Sequence, residues 1–212
     1  MNRGWYFTIA GCGPGSSDYL TQAVSNAVEE SEIVVGSRRL CELFTSFKGE
    51  IITTSDLSHV KSVIDSARKK GQRVTVLVSG DPMVSSLATP LRIAYPDEYR
   101  IVSGISAVQV AAAAVGVDWT SAEILSAHAV TNAVDYDLLL RKGALILLAG
   151  NRKHIAWINS LHQALKDSYT LFILKNLTLK TESIDVYCDA NITEEIIAGL
   201  TILIWKRAKE KQ

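Results

Sequence analysis

Three short glycine-bearing segments stand where backbone and side chains could meet a small ligand. They are Gly11-Cys12-Gly13-Pro14-Gly15, Ser79-Gly80-Asp81-Pro82 and Ser103-Gly104-Ile105-Ser106. Each follows an apolar run and precedes a helix-period segment, which in an open α/β sheet is the ligand side, beyond the carboxyl ends of the strands. Glycine allows close approach of backbone to a ligand. In the first segment Pro14 removes one N–H from a loop that would cradle a pyrophosphate. Ser16 is a poor match to a dinucleotide fingerprint, and Gly36-Ser37-Arg38-Arg39 stands where such a site wants an acid. That segment reads equally as a tight strand-to-helix turn. In the second, Asp81 has two readings: the N-cap of a helix opening at Pro82, or a carboxylate that holds a ligand hydroxyl or amine. In the third, Ser106 is a natural N-cap whose hydroxyl and neighbouring N–H groups could also meet an adenosine or a carboxylate.

The elements that must position these loops follow from periodicity. Short apolar runs alternate with helix-period stretches, the pattern of βαβ units and a parallel sheet. Strands are predicted over Trp5 to Ala10, Ile33 to Val35, Ile51 to Thr53, Arg73 to Val78 and Tyr99 to Val102. Helices are predicted from about Tyr19 to Glu30, around Leu40 to Phe47, around Val60 to Ala67 and over Pro82 to Tyr95, followed by a small-residue helix from Ala107 to Val115. The third of these stops at Gly71 after three basic residues. The register changes around Gly116 to Thr120, which divides the chain into domains 1–116 and 117–212. The second half offers strands over Glu123 to Ser126, Ala144 to Leu148, Tyr169 to Leu174, Glu182 to Tyr187 and Leu200 to Trp205, and one clear helix, Ile155 to Leu165. Consecutive strands without helices between them imply antiparallel pairing, so this half is expected to hold a mixed sheet.

Bulk properties narrow the function. The chain has 212 residues, 48% of them hydrophobic, enough for sizeable cores. Lys and Arg number 22 against 22 Asp and Glu. A neutral chain lacks the basic excess that nucleic-acid binding by counterion release requires, and no apolar run approaches the roughly 20 residues that span a bilayer. Three scattered cysteines (Cys12, Cys41 and Cys188) make neither a disulfide framework nor a CxxC site, and no signal-peptide segment opens the sequence. A reducing, cytoplasmic setting is expected. The four histidines have no metal-ligand spacing, so no protein-bound metal is expected. Cys12 reads as a small buried filler.

Taken together the loops resemble the tetrapyrrole methylase family. Gly11 to Gly15 match its GxGPG motif and Gly80-Asp81-Pro82 its GDP motif. Ser103 to Ser106 match a PGIS-like segment with serine for proline. Further likeness, to the branch that methylates a corrin precursor at carbon 5, lies in Asp18 to Thr21, Val35 to Leu40, Gly104 to Gln109, Trp119 and Ser126-x-His128. The chain departs from that branch at His128-Ala129-Val130, where His-Gly-Arg is usual, and at Met83 to Ser86.

The resemblance implies a tetrapyrrole methylase-like fold: two α/β domains, a parallel sheet first and a mixed sheet second, with the ligand cleft between them. It implies S-adenosylmethionine (SAM) as co-substrate and methyl transfer to a corrin precursor, cobalt-precorrin-7 at carbon 5, in the anaerobic route to cobalamin. Cobalt would arrive inside the substrate. Gly13, Pro14, Ser79, Gly80, Asp81, Val84, Ser106, Ala107, Leu148, Ala149 and Asn176 would bind SAM. Gly11, Arg38, Arg39 and Arg152 would meet the substrate, whose carboxylates suit arginine forks; Lys153 and Lys175 are further basic candidates, and Arg38 is the preferred one. In-line transfer from a sulfonium to an electron-rich carbon needs positioning more than side-chain chemistry, so no catalytic triad is expected. His128 is the one candidate proton acceptor, set against a structural role. The family's habit is a homodimer. Competing readings are another methylase of this fold, a protein methylase included, an NADP-binding reductase using Arg38 and Arg39 on the 2′-phosphate, and a non-catalytic SAM-binding protein.

Overall fold

A computed structural model describes residues 5–127, 135–150 and 152–208. The chain forms two compact units, Met1–Ala107 and Val108–Gln212.

The first unit holds β1 (Phe7–Gly11), α1 (Gln22–Glu29), β2 (Ile33–Gly36), α2 (Arg38–Cys41), β3 (Glu50–Thr53), α3 (Leu57–Lys69), β4 (Val74–Val78), α4 (Ala88–Ala94) and β5 (Tyr99–Val102). All its strand pairs are parallel, in the order β3-β2-β4-β1-β5. β1, β2 and β4 are buried along their whole length, as expected of strands covered on both faces. Alternate residues feed two cores. Phe7, Ile9, Val35 and Val76 face Val60, Ile64 and Leu91 of α3 and α4. Ala10, Val34 and Leu77 face Val24, Ala27 and Val28 of α1. The connections leaving β1 and β4, which are neighbours, therefore depart to opposite faces. That is the switch-point geometry at which such sheets bind ligands.

Local chemistry sets the helix ends. Thr21 Oγ1 accepts the Val24 N–H at 3.4 Å, and Asp56 Oδ1 accepts the His59 N–H at 2.8 Å. α3 closes with Gly71 at φ 67°. Gly71 N–H donates to Arg68 O at 3.1 Å and Gln72 N–H to Ala67 O at 3.0 Å. This is the paired bond of a Schellman stop.

The helix predicted over Pro82 to Tyr95 is a correction: only Ala88–Ala94 is helical. Ser85 takes φ 51°, which leaves the right-handed helical path. Asp81 Oδ1 accepts the Met83 N–H at 2.8 Å, so the chain turns back locally. Asp81 is therefore not the N-cap of α4, and Pro82 is not in its first turn. The helix expected over Leu40 to Phe47 is likewise a single α turn, α2, followed by a 3₁₀ turn at Glu42–Phe44.

The second unit holds α5 (Ala107–Val115, from its second residue), β6 (Ala122–Ser126), α6 (Tyr136–Leu139), β7 (Ala144–Leu148), α7 (Ile155–Leu165), β8 (Tyr169–Lys175), β9 (Ser183–Tyr187) and β10 (Thr201–Arg207). The sequence boundary at residue 116 follows α5, and the division between units falls after its first residue, Ala107. Among the described residues the sheet is mixed, β6-β7-β10-β8-β9, with β6 and β7 parallel and the other pairs antiparallel. Leu145, Leu147, Leu171, Ile173, Leu203 and Trp205 alternate toward Ile158, Leu161 and Leu165 of α7. His162 is buried against them. Its Nδ1 accepts the Trp205 Nε1–H at 3.3 Å, which assigns the proton to Nε2, 3.0 Å from Asp189 O. Asn159 grips Ile192 in both directions, at 2.7 and 2.9 Å. α7 thus ties down the segment that leads into β10.

Burial separates the thiols. Cys12 and Cys41 are buried and Cys188 is exposed. Burial pushes the Cys12 thiol from 9.0 up to about 12. The native chain is expected to give one fast-reacting thiol toward a disulfide reagent from neutral pH to about pH 10, with all three reacting in denaturant. The Cys12 shift also has a sign for stability. The native thiol stays neutral while an unfolded one ionises near 9, so stability should fall as pH rises from about 9 toward 12. A fast signal of two thiols in the native chain would contradict this burial.

Candidate functional site

The three glycine segments converge at the carboxyl ends of β4, β1 and β5, which are adjacent strands. The first two segments, loop 1 and loop 2, are joined by two backbone bonds, Gly80 N–H to Gly13 O at 2.9 Å and Gly13 N–H to Gly80 O at 3.4 Å, and Cys12 N–H donates to Val78 O at the end of β4 at 2.8 Å. Glycine is what allows this approach. A Cβ on Gly11 would stand 2.5 Å from Gly80 O and 2.6 Å from Gly104 N. A Cβ on Gly104 would overlap the carbonyl oxygens of both Gly11 and Gly80. The three loops are thus one welded cluster. Gly80 differs: at φ 63° its own Cβ direction is open, with Ala107 N at 3.8 Å and Ser106 Cα at 3.9 Å as the nearest atoms.

Side chains stand around this cluster. Pro14 and Pro82 are buried, Ser79 is exposed, and Asp81 and Val84 are partly buried. Ser106 is 7% exposed, and Ala107 follows it into α5. The Asp81 bond to Met83 N–H uses one oxygen, and an ionised carboxylate has about four acceptor sites, so a ribose hydroxyl or an ammonium can still be accepted. Arg38 is exposed. Arg39 is turned toward the loops: Nη2 donates to Ser79 Oγ, and Nη1 to Pro14 O at 3.4 Å. Burial lowers the Arg39 guanidinium below its ordinary value, with the Cys12 thiol a smaller opposing influence. This contact was not foreseen from the sequence. The sequence showed only that Arg39 follows a strand; that β2 neighbours β4 comes from the sheet order.

Of the remaining predicted residues, those described in the second unit gather at one end of its sheet. β7 and β8 both run antiparallel to β10, so their carboxyl ends flank its start. Ala149 N–H donates to Thr201 O at 3.0 Å, and Asn176 N–H to Leu200 O at 2.9 Å. Leu148 is opposite Ile202. Asn176 takes φ 50°, a conformation asparagine tolerates well. Lys175 ends β8, and its Nζ donates to Glu195 O at 3.5 Å. Arg152 and Lys153 follow β7 in a 3₁₀ turn and are exposed. His128, Ala129 and Val130 lie outside the described residues. A groove of about 470 Å³ beside α1 is lined by Leu20, Glu29, Phe44, Phe47 and Lys48 among others, and by none of the predicted site residues.

Comparison with known proteins bears on what the cluster does. The family model for Tetrapyrrole (Corrin/Porphyrin) Methylases matches residues 6–186. A probable cobalt-precorrin-7 C(5)-methyltransferase of Methanocaldococcus jannaschii is 29% identical over 214 residues, covering 95% of this chain and 98% of its own. The solved precorrin-6Y methylase (cbiE) of Archaeoglobus fulgidus superimposes with a TM-score of 0.73 at 25% identity, over 96% of this chain and 98% of its own. The uroporphyrin-III C-methyl transferase of Thermus thermophilus, solved with S-adenyl homocysteine, gives 0.70 at 16% identity over 94% and 96%, a likeness of fold.

Proposed function

Because this chain belongs to the tetrapyrrole (corrin/porphyrin) methylase family, we propose that it transfers a methyl group from SAM to carbon 5 of cobalt-precorrin-7. The near full-length likeness to the Methanocaldococcus jannaschii relative carries the choice of substrate. The comparisons favour methyl transfer over the reductase reading.

SAM supplies an electrophilic methyl group on a sulfonium. The chain's own task is to hold it. The Asp81 carboxylate accepts a hydroxyl or ammonium proton of the nucleoside. Gly80 leaves the space beside it, and Ser79, Ser106 and Ala107 line that space with Gly13, Pro14 and Val84. Leu148, Ala149 and Asn176 are the second unit's proposed contacts, at the end of its sheet where β7 and β8 finish. Arg38 and Arg152, with Lys153 and Lys175, meet the carboxylates of the ring, and Gly11 borders it. Fixing the methyl and the carbon at near-attack distance can supply several kcal/mol, and excluding water helps as the sulfonium loses its charge. The working unit is proposed to be a homodimer in the cytoplasm. The outward Ile184 and Val186 of β9, 40% and 56% exposed, offer apolar surface in support of association.

The test is turnover. The purified chain, given SAM and cobalt-precorrin-7, is expected to yield S-adenosylhomocysteine and a ring bearing one more methyl, at carbon 5 by NMR. Methylation of other precorrins in preference, or none of any, would sink the assignment.

A further inference from the structure

We infer that Arg39 is a positioning residue, whose guanidinium fastens loop 1 to loop 2 and orients the Ser79 hydroxyl for the cofactor rather than meeting a substrate carboxylate. This rests on the reading of those loops as the SAM site.

The geometry carries it. β2 lies beside β4, and β4 beside β1. A side chain leaving the first turn after β2 can therefore reach across the end of β4 to that of β1, and Arg39 does so, donating to Ser79 Oγ after β4 and to Pro14 O after β1. Of the two backbone bonds joining these loops, that from Gly13 N–H is long, 3.4 Å. Arg39 adds a side-chain link across the same junction. A planar guanidinium serves two acceptors from one rigid group, which a lysine ammonium does less well. Ser79 Oγ, once it accepts from Arg39, has its own O–H left to donate to a ligand. Arg39 is partly buried where Arg38, its neighbour, is exposed. A substrate carboxylate at Arg39 would have to compete with both existing bonds.

The experiment compares the parent chain with Arg39→Met, Arg39→Lys and Ser79→Ala. It reads S-adenosylhomocysteine affinity by calorimetry, KM for SAM, KM for the tetrapyrrole, and kcat. Arg39→Met, which loses both bonds, is expected to weaken S-adenosylhomocysteine about tenfold, roughly the worth of one charge-assisted hydrogen bond, and to raise KM for SAM with it. KM for the tetrapyrrole should stay within about twofold. Arg39→Lys should recover part of the loss. Ser79→Ala should cost no more when added to Arg39→Met than the margin of error, since the two act through one contact. If Arg39→Met does not fold, the lysine and alanine variants carry the comparison. A rise confined to the tetrapyrrole KM would make Arg39 a substrate ligand and overturn the inference. So would unchanged cofactor affinity in all variants. A parent chain that binds no S-adenosylhomocysteine would instead remove the underlying reading of the loops, and the inference with it.

Discussion

The Asp81→Ala variant is expected to bind S-adenosylhomocysteine ten- to a hundredfold more weakly than the parent chain, at roughly the 1.5–3 kcal/mol typical of a hydrogen bond to a charged group. Its unfolding temperature should barely move. Asp81 is only partly buried, and the bond it makes is to Met83 N–H in its own loop, so little of the core depends on it. Asp81→Asn sharpens the test. Asparagine can keep the local turn onto Met83 while losing the charge, so a similar loss of affinity isolates the carboxylate, and full affinity would assign Asp81 to the turn alone. Calorimetry with S-adenosylhomocysteine reads both variants.

Gly104→Ala is the substitution with the largest expected effect on the fold of the site. Its new methyl group would overlap the carbonyl oxygens of Gly11 and Gly80. Backbone on both sides leaves no rotamer to relieve the clash, so the cost should reach the top of the roughly 1–3 kcal/mol range for overpacking, or exceed it. For a chain of this size that is a fall in unfolding temperature on the order of 10 °C. Addition of S-adenosylhomocysteine should no longer raise that temperature, because the three loops can no longer close on one another. Gly80→Ala is the contrast. Space exists for its Cβ, and the penalty is the left-handed conformation alone, roughly 1–2 kcal/mol. Equal melting curves for the two variants would contradict the welded-loop geometry.

Much of this arrangement was legible in the sequence because period and punctuation agree. Ile155–Leu165 and Ala144–Leu148 lie where the apolar spacing put them. So does the stop of α3 before Gly71. The segment after Pro82 misled. Its composition suits a helix, but Ser85 is left-handed and Asp81 turns onto the Met83 N–H, a local side-chain bond that competes with the helix. The strand order of the second sheet was also hidden. β10 enters between β7 and β8, and this brings Ala149 and Asn176 to either side of its start. Arg39 was picked out by charge, yet its partners, Ser79 and Pro14, are 40 and 25 residues away in sequence. No local pattern encodes such a contact.

The central claim is that the welded loops of the first sheet hold SAM. A crystal structure of the chain with S-adenosylhomocysteine tests it most directly. The account predicts the nucleoside beside Gly80, with a hydroxyl or the amino group on an Asp81 oxygen and Ser106 within reach. Density for it at some other surface, such as the groove beside α1, would contradict the account.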